Sequence, residues 1–373
     1  MMTIVIAAVV MAVLPDIYVW HVLARAGVST VWCAASVVPT VVLVAVAAVG
    51  MAGHVTPAVM RIFFAVLLCV SLPKLLAAAL ALPAAAHFVN VGAAALAVVT
   101  AAAFLYGFVF GWRRIVVREV EISSPRLPEA FDGYRMAHIS DLHLGTYGND
   151  TAFVHRFVER VNSLHPDVIL FTGDLVNSSA AEVEPYVAVL SRLRAPEGVV
   201  SVLGNHDYCE YNRYGTRDGA RRQLERLISL ERGMGWRLLL DESVEVRRGA
   251  AAIAVIGVEN TGRPPFPARG NLRRAMEGVA DTTYKILLTH DPSHWRHEVL
   301  PATDVDLTLS GHTHAVQLRI GCFSPARWVY PEWGGVYREG DRTLHVSVGE
   351  GGTVPFRLGA WPEIDIITLH RRK

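Results

Sequence analysis

Residues 305–317 read VDLTLSGHTHAVQ. A short apolar run closed by a glycine predicts a strand, and His312 and His314 follow just beyond its carboxyl end. Alone, the pair fits two readings: ligands of a metal ion, or polar residues of a surface turn. What the other strands end in decides between them. YRMAHIS (134–140) is followed by Asp141 and His143, and DVILFTG (167–173) by Asp174. GVVSVLG (198–204) is followed by Asn205 and His206, and YKILLT (284–289) by His290. Five predicted strands therefore finish in Asp, Asn or His.

Four more strands are predicted at IVVREVEI (115–122), AAIAVIGV (251–258), TLHVSVG (343–349) and EIDIITL (363–369). Continuous apolar runs of this length suit strands buried on both faces. Helical periodicity falls between some of them. In 150–164 the face is marked by Phe153, Val154, Phe157, Val158, Val161 and Leu164, with Asp150 or Thr151 as N-cap. Residues 181–193 and 218–231 read similarly. The alternation predicts a layered α/β domain, in which ligands gather beyond the carboxyl ends of the strands.

Converging there would be two carboxylates, one amide and five imidazoles. Such a set is costly to bury without a partner. A nitrogen and oxygen set without thiolate suits Mn²⁺, Fe²⁺ or Zn²⁺. Seven protein ligands exceed what one such ion takes, so two ions sharing a carboxylate fit better. Pairs of ions about 3.5–4 Å apart serve phosphoryl hydrolysis by clamping attacking and leaving oxygens.

The fragments DLHLG (141–145), GDLV (173–176), GNHDY (204–208), LLTHDP (287–292) and SGHTH (310–314) occur in this order. Together they resemble the calcineurin-like metallophosphoesterases over about 134–369. The closing VSVGEGGTVPFRLGAWPEIDIITL (346–369) is similar to the transmembrane branch of that family, which includes bacterial membrane-associated phosphodiesterases of lipid metabolism. The resemblance implies an α-β-β-α sandwich. It implies one metal on Asp141, His143, Asp174 and His314, and a second on Asp174, Asn205, His290 and His312, with Asp174 bridging. It implies a general-acid role for His206. Asp207 either orients the His206 imidazole through a hydrogen bond or forms the turn. One position departs from the branch. Ala315 and Val316 stand where it usually has two glycines, and a β-branched residue is costly if that turn needs positive φ.

Composition divides the chain near Trp112. It is 52% hydrophobic and 18% charged overall, and the charges are nearly all after that point. Four apolar stretches, 2–23, 28–50, 59–82 and 87–110, are each long enough to cross about 30 Å of hydrocarbon. The expectation is a four-span anchor over 1–112 and a metallophosphoesterase domain over 113–373. Arg113, Arg114 and Arg118 after the last stretch, with Arg61, place both termini and the domain in the cytoplasm. Asp16 and Lys74 lie ~21 and ~22 Å into parallel spans at helical rise. Either they pair across the bundle, or span one ends near Pro15 and Lys74 snorkels.

A net charge of +1 gives no basic excess for a nucleic-acid partner. Cys33, Cys69, Cys209 and Cys322 form no C-x-x-C pair, so a disulfide framework or thiolate site is not expected, and Cys209 and Cys322 read as small buried residues. Arg357 suits bidentate phosphate recognition or a salt bridge. Trp328, Trp333 and Trp361 with Tyr330 read as core packing or as an apolar lip. His165, His294 and His297 match no ligand position. The expected function is hydrolysis of a phosphodiester or pyrophosphate on a lipid-linked substrate, such as a UDP-diacylglucosamine-like precursor, at a pair of divalent ions, Mn²⁺ first. No obligate protein partner is expected. The rival readings are a non-catalytic metal-binding scaffold, and a membrane sensor or transporter regulated by the domain.

Overall fold

The computed structural model describes all residues except 1, 54–55, 82–86, 149, 213, 217, 265, 267 and 373. The chain forms two compact units. One comprises residues 1–111 with 354–358, and the other residues 112–353 with 359–373.

The first unit is helical: α1 (Met2–Arg25), α2 (Thr30–Met51), α3 (Pro57–Val66), α4 (Leu72–Ala81) and α5 (His87–Val109). A π-helical turn at Leu67–Ser71 joins α3 to α4. Among the described residues three segments are long and apolar enough to cross a membrane: Thr30–Met51, Pro57–Ala81 and Val91–Arg113. Three are found, not the expected four; the first expected stretch, 2–23, falls in the 24-residue α1, and the side chains of its residues 2–8 lie outside the described residues. Residue 82, at the end of the third apolar stretch, lies outside the described residues. The apolar helices associate the chain with a membrane. Inside this unit Lys74 Nζ donates to Asp16 Oδ1 at 2.7 Å and to the Ser36 carbonyl oxygen. Of the two readings of these charges, the pair is the one formed.

The second unit holds two six-stranded mixed sheets. One has the order β1 (Val116–Ser124), β12 (Glu363–Arg371), β2 (Tyr134–Ile139), β3 (Val168–Phe171), β4 (Val199–Ser201), β5 (Arg237–Leu238). The other runs β10 (Gly335–Glu339), β11 (Arg342–Val346), β9 (Leu307–Ser310), β8 (Tyr284–Leu288), β7 (Ala251–Gly257), β6 (Glu242–Arg248). The strands β2, β3 and β4 run parallel, as do β7, β8, β9 and β11. Their carboxyl ends therefore share an edge within each sheet.

The apolar pattern explains the layering. Met136, Leu170, Val200, Ile286, Leu309 and Ile367 fill the space between the sheets. Their neighbours Ala137, Ile169 and Ile366 turn outward onto α6 (Ala152–Ser163), which buries Phe153, Val154, Phe157, Val158 and Val161. On the far face of the second sheet Ile256, Leu287 and Val346 pack with Leu272 and Trp295. The result is the expected α-β-β-α sandwich. Strands such as β8 are buried along their whole length, as their uninterrupted apolar runs require.

One local expectation changes, and two further details are settled. Residues 181–193 do not form one helix. Pro185 removes a backbone donor inside it, and the chain makes two 3₁₀ turns and the short α7 (Val187–Leu190). At the start of α6 the side chain of Thr151 makes no cap, and Asp150 Oδ1 accepts from the Ala152 N–H at 3.0 Å. The edge strands β6, with charges at Glu242, Glu245, Arg247 and Arg248, and β10, with charges only at Arg338 and Glu339, have no counterpart among the predicted strands.

Candidate metal centre

Each polar residue predicted at a strand end lies just past the carboxyl end of its strand, and the two sheets bring them together. Asp141 and His143 follow β2, Asp174 follows β3, and Asn205 and His206 follow β4; from the other sheet come His290 after β8 and His312 and His314 after β9. Asp141, His143, Asp174 and His314 offer ligand atoms within 4.8 Å of one another, and so do Asp174, His290 and His312. Asp174 belongs to both groups.

The loops carrying these residues are tightly wound. Asp141, His143, Asp174, His312 and His314 have φ of 57°, 47°, 60°, 71° and 49°, a region that non-glycine residues enter at a cost. Two glycines let the loops approach. A Cβ on Gly204 would stand 2.2 Å from Asp174 Oδ1, and one on Gly311 2.3 Å from Asp141 Oδ2. The scaffold beneath is Asp207. Its Oδ2 accepts from the N–H groups of Asp174 (2.7 Å) and Gly204 (2.8 Å), and its Oδ1 from those of Leu175 (2.8 Å) and Val176 (3.2 Å).

Of the two readings of Asp207, the turn is the one its hydrogen bonds form. The buried carboxylate is taken up by backbone donors from two ligand loops. His206 Nδ1 instead lies 2.6 Å from the Asn177 carbonyl oxygen, and its own N–H donates to Asp174 Oδ1 at 2.8 Å.

The side chains fit a pair of cations. His143 Nε2 lies 3.2 Å from His314 Nε2 and 3.5 Å from Asp174 Oδ2, while His314 Nε2 lies 3.5 Å from Asp141 Oδ1. His290 Nε2 lies 3.1 Å from Asp174 Oδ2 and 3.3 Å from His312 Nδ1. The opposite ring nitrogens have acceptors: His143 Nδ1 meets Asn177 Oδ1 at 3.0 Å and His290 Nδ1 the Thr172 carbonyl oxygen at 2.7 Å. A proton held there leaves the Nε2 lone pair facing the carboxylates, the arrangement of metal-ligating histidines. Asn205 Nδ2 donates to Tyr211 Oη at 2.9 Å, and its buried Oδ1 has no hydrogen-bond partner among the described residues.

The electrostatics agree. Burial and the neighbouring His206 lower His143 to about 3, and burial takes His312 to about 4, so both rings are neutral donors at neutral pH. Burial raises Asp141 to about 6, against the pull of His290. Asp174 is held well below the usual carboxylate range by His290 and His206 despite its burial. Against its own burial, His290 is raised to about 10 by Asp174 and Asp141. Without cations the cluster can balance its charge only by protonating a ligand.

Of the residues that contact the cluster, Asn177 and Asp291 carry no reading from sequence, and Tyr330 carries only that of packing or an apolar lip. Asn177, three residues after Asp174, touches both His143 and His206. Asp291, directly after His290, has Oδ2 3.7 Å from His312 Nε2. Tyr330 Oη lies 2.8 Å from the same nitrogen. A buried trio of His138, His345 and Asp365 lies between the sheets, with His138 Nε2 3.0 Å from Thr172 Oγ1. Its only sequence signal was polarity at three inward strand positions. His294 bonds to Thr289 and Glu298, and His297 to Arg263, apart from the cluster. His165 follows α6 with φ 48°. Arg357 belongs to the helical unit, where its N–H donates to the Gly107 carbonyl oxygen at 3.3 Å. Cys209 is buried as expected, but Cys322 is exposed.

The departure at 315–316 has a structural outcome. Ala315 (φ 52°, ψ 30°) and Val316 (φ 49°, ψ 31°) both adopt the left-handed conformation, between His314 and Gln317, which do the same. The turn keeps the glycine geometry without the glycines.

A sequence profile of the calcineurin-like phosphoesterases matches residues 134–316. An uncharacterized metallophosphoesterase of Bacillus subtilis, YkuE, is 30% identical over 265 residues, 68% of this chain and 85% of the relative. The chain belongs to the calcineurin-like metallophosphoesterase family. A zebrafish (Danio rerio) protein named transmembrane protein with metallophosphoesterase domain is 31% identical over 281 residues, 73% of this chain. The chain spans 61% of that relative's length. A Chlamydia trachomatis protein named UDP-2,3-diacylglucosamine pyrophosphatase LpxG is 26% identical over 289 residues, 64% of this chain and 85% of the relative. The calcineurin-like family is one of metal-dependent phosphoester hydrolases, and the cluster around Asp174 is this metallophosphoesterase's candidate dinuclear divalent metal centre.

Proposed function

We propose that this metallophosphoesterase is a multi-pass membrane enzyme that hydrolyses a phosphodiester or pyrophosphate on a lipid-linked substrate, with its catalytic domain in the cytoplasm. The observation that carries the reading is the pair of ligand groups sharing Asp174. Asp141, His143, Asp174 and His314 would hold one ion, and Asp174, Asn205, His290 and His312 the other. The unpaired Asn205 Oδ1 supports its place in the second set. Two bound divalent ions, Mn²⁺ by preference, supply Lewis-acid polarisation of the phosphoryl group and an acidified water.

The chain's own residues do the rest. Asp207 fixes the loops that carry Asp174 and Asn205. The Asn177 carbonyl holds the Nδ1 proton of His206, so that Nε2 takes up and releases the proton passed to the phosphate or the leaving oxygen. The apolar helices and the relative named as acting on UDP-2,3-diacylglucosamine support a lipid-linked substrate, and Arg113, Arg114 and Arg118 support the orientation.

The test uses the full chain in detergent with Mn²⁺, on bis-p-nitrophenyl phosphate and a panel of lipid phosphodiesters and nucleotide-linked lipids. Turnover of both classes is expected. His206→Ala should keep its metal and lose about 10²–10⁴-fold in kcat. Metal loss in that variant would make His206 a ligand, and absence of all turnover in the metal-loaded protein would favour the scaffold reading.

A further inference from the structure

Outside the apolar helices, five large hydrophobic residues are exposed among the described residues: Tyr211, Val316, Ile320, Trp328 and Val329. Four of the five fall in the single segment 316–329. Scattered exposed hydrophobics are ordinary, but a contiguous group marks an interaction surface. Trp328, read from sequence chiefly as a core residue, is 77% exposed.

The segment is built to hold these side chains out. Ile320 and Phe323 form a bridge across a tight turn at Gly321, whose φ is 60°. Ser324 Oγ donates to the Ala315 carbonyl oxygen at 2.6 Å and accepts from the Ala326 N–H at 3.1 Å. The rings of Phe323 and Trp328 meet edge to face at 5.6 Å, which fixes the indole on the outside. Both ends of the segment reach the metal centre. Val316 is two residues from His314, and Tyr330 contacts His312.

Its charge identifies the occupant. Residues 316–329 contain Arg319 and Arg327 and no acidic residue. Arginines flanking an exposed tryptophan and aliphatic side chains match the boundary of an anionic bilayer, where indoles sit at headgroup depth and basic groups meet phosphates. The apolar helices tether the chain to a membrane, which raises the encounter of its second unit with such a surface. We propose that segment 316–329 docks on an anionic phospholipid surface, with Ile320, Trp328 and Val329 entering the headgroup–acyl boundary and Arg319 and Arg327 contacting lipid phosphates. This deepens the lipid-linked reading of the metal centre and rests on it for substrate delivery. It adds the means by which a headgroup phosphate is presented beside His312 and His314.

The test uses the full chain in vesicles of phosphatidylcholine with or without phosphatidylglycerol, in a Cys69→Ser background. Exposed Cys322, at the tip of the segment, takes a nitroxide label while Cys33 and Cys209 are buried. Power saturation should show the label more accessible to oxygen than to a water-soluble nickel complex, most strongly with phosphatidylglycerol. The double substitution Trp328→Ser with Val329→Ser should shift it toward water. The same variant should leave bis-p-nitrophenyl phosphate turnover unchanged and slow hydrolysis of a vesicle-borne phosphodiester about tenfold, the effect of ~1.4 kcal/mol. A water-exposed label in both vesicle types would overturn the proposal. So would spin–spin broadening between labels, which would assign the surface to a second copy of the chain. A lipid-buried label in a protein inactive on every ester would leave docking intact and sink the proposed activity instead.

Discussion

Replacing Asp207 with asparagine isolates what holds the metal loops in place. Each carboxylate oxygen of Asp207 accepts two backbone N–H bonds, Oδ2 from Asp174 and Gly204 and Oδ1 from Leu175 and Val176. An amide offers one acceptor oxygen and two donors. Whichever way it is turned, its NH₂ faces two buried N–H groups. A hydrogen bond to a charged group contributes about 1.5–3 kcal/mol, so two lost bonds cost about 3–6 kcal/mol. That is a large part of the 5–15 kcal/mol that stabilises a typical domain. At about 2–4 °C per kcal/mol for a domain of this size, the melting temperature should fall by roughly 6–24 °C. The measurement is differential scanning fluorimetry of the full chain in detergent, with Mn²⁺ kept in excess because ligand binding itself raises the transition. His206→Ala is the control. It removes the bond to the Asn177 carbonyl and ring contacts with His143 and Tyr211 but leaves the Asp207 bonds in place, and should melt closer to the parent than Asp207→Asn. If Asp207→Asn melts within about 2 °C of the parent, the four-bond scaffold is not what holds the loops. If its main effect is a displaced acid limb in the pH–rate profile, Asp207 acts through His206 after all.

Two further outcomes follow from geometry. Val316 holds a left-handed conformation with its side chain 57% exposed. The strain is ~1–2 kcal/mol, while glycine loses ~0.5–1 kcal/mol in chain entropy, so Val316→Gly should raise the melting temperature by up to about 6 °C; a lower value would mean the turn stores no strain. In the helical unit, Asp16→Lys or Lys74→Asp alone leaves a buried charge unpaired, costing about 3–5 kcal/mol. The double exchange should recover most of the loss in thermal unfolding in detergent, and no recovery would remove the pair as a determinant of the bundle.

Most of the candidate site was legible because each strand carries its functional residue at a fixed end. The apolar runs locate β2, β3, β4, β8 and β9, and parallel pairing brings their termini together. Asp16 and Lys74 were found by depth alone, since a charge in an apolar helix has few neighbours able to compensate it. What stayed hidden depends on three-dimensional approach. Asp207 sits beside His206 in sequence, yet its carboxylate reaches back to the loop after β3, which no spacing reveals. Asn177 acts as much through its carbonyl oxygen as through its side chain, and a backbone group has no letter in the sequence. Cys322 and Trp328 look like core residues by type. Only the bridge at Ile320–Phe323 and the Phe323 ring show that they are turned outward. The edge strands β6 and β10 lack a continuous apolar run, so nothing marks them out in the sequence. The turn at Ala315 and Val316 was recognised as a departure, and its left-handed backbone shows that ligand placement prevails over local preference there.

The central claim is that Asp174 joins two ions in one site, and manganese stoichiometry read together with electron paramagnetic resonance tests it most directly. The full chain loaded with Mn²⁺ should hold about two ions per molecule with the spin coupling expected of a pair about 3.5–4 Å apart. Asp174→Ala should hold at most one, uncoupled, and should not turn over bis-p-nitrophenyl phosphate. Two coupled ions and retained turnover in Asp174→Ala would contradict the account.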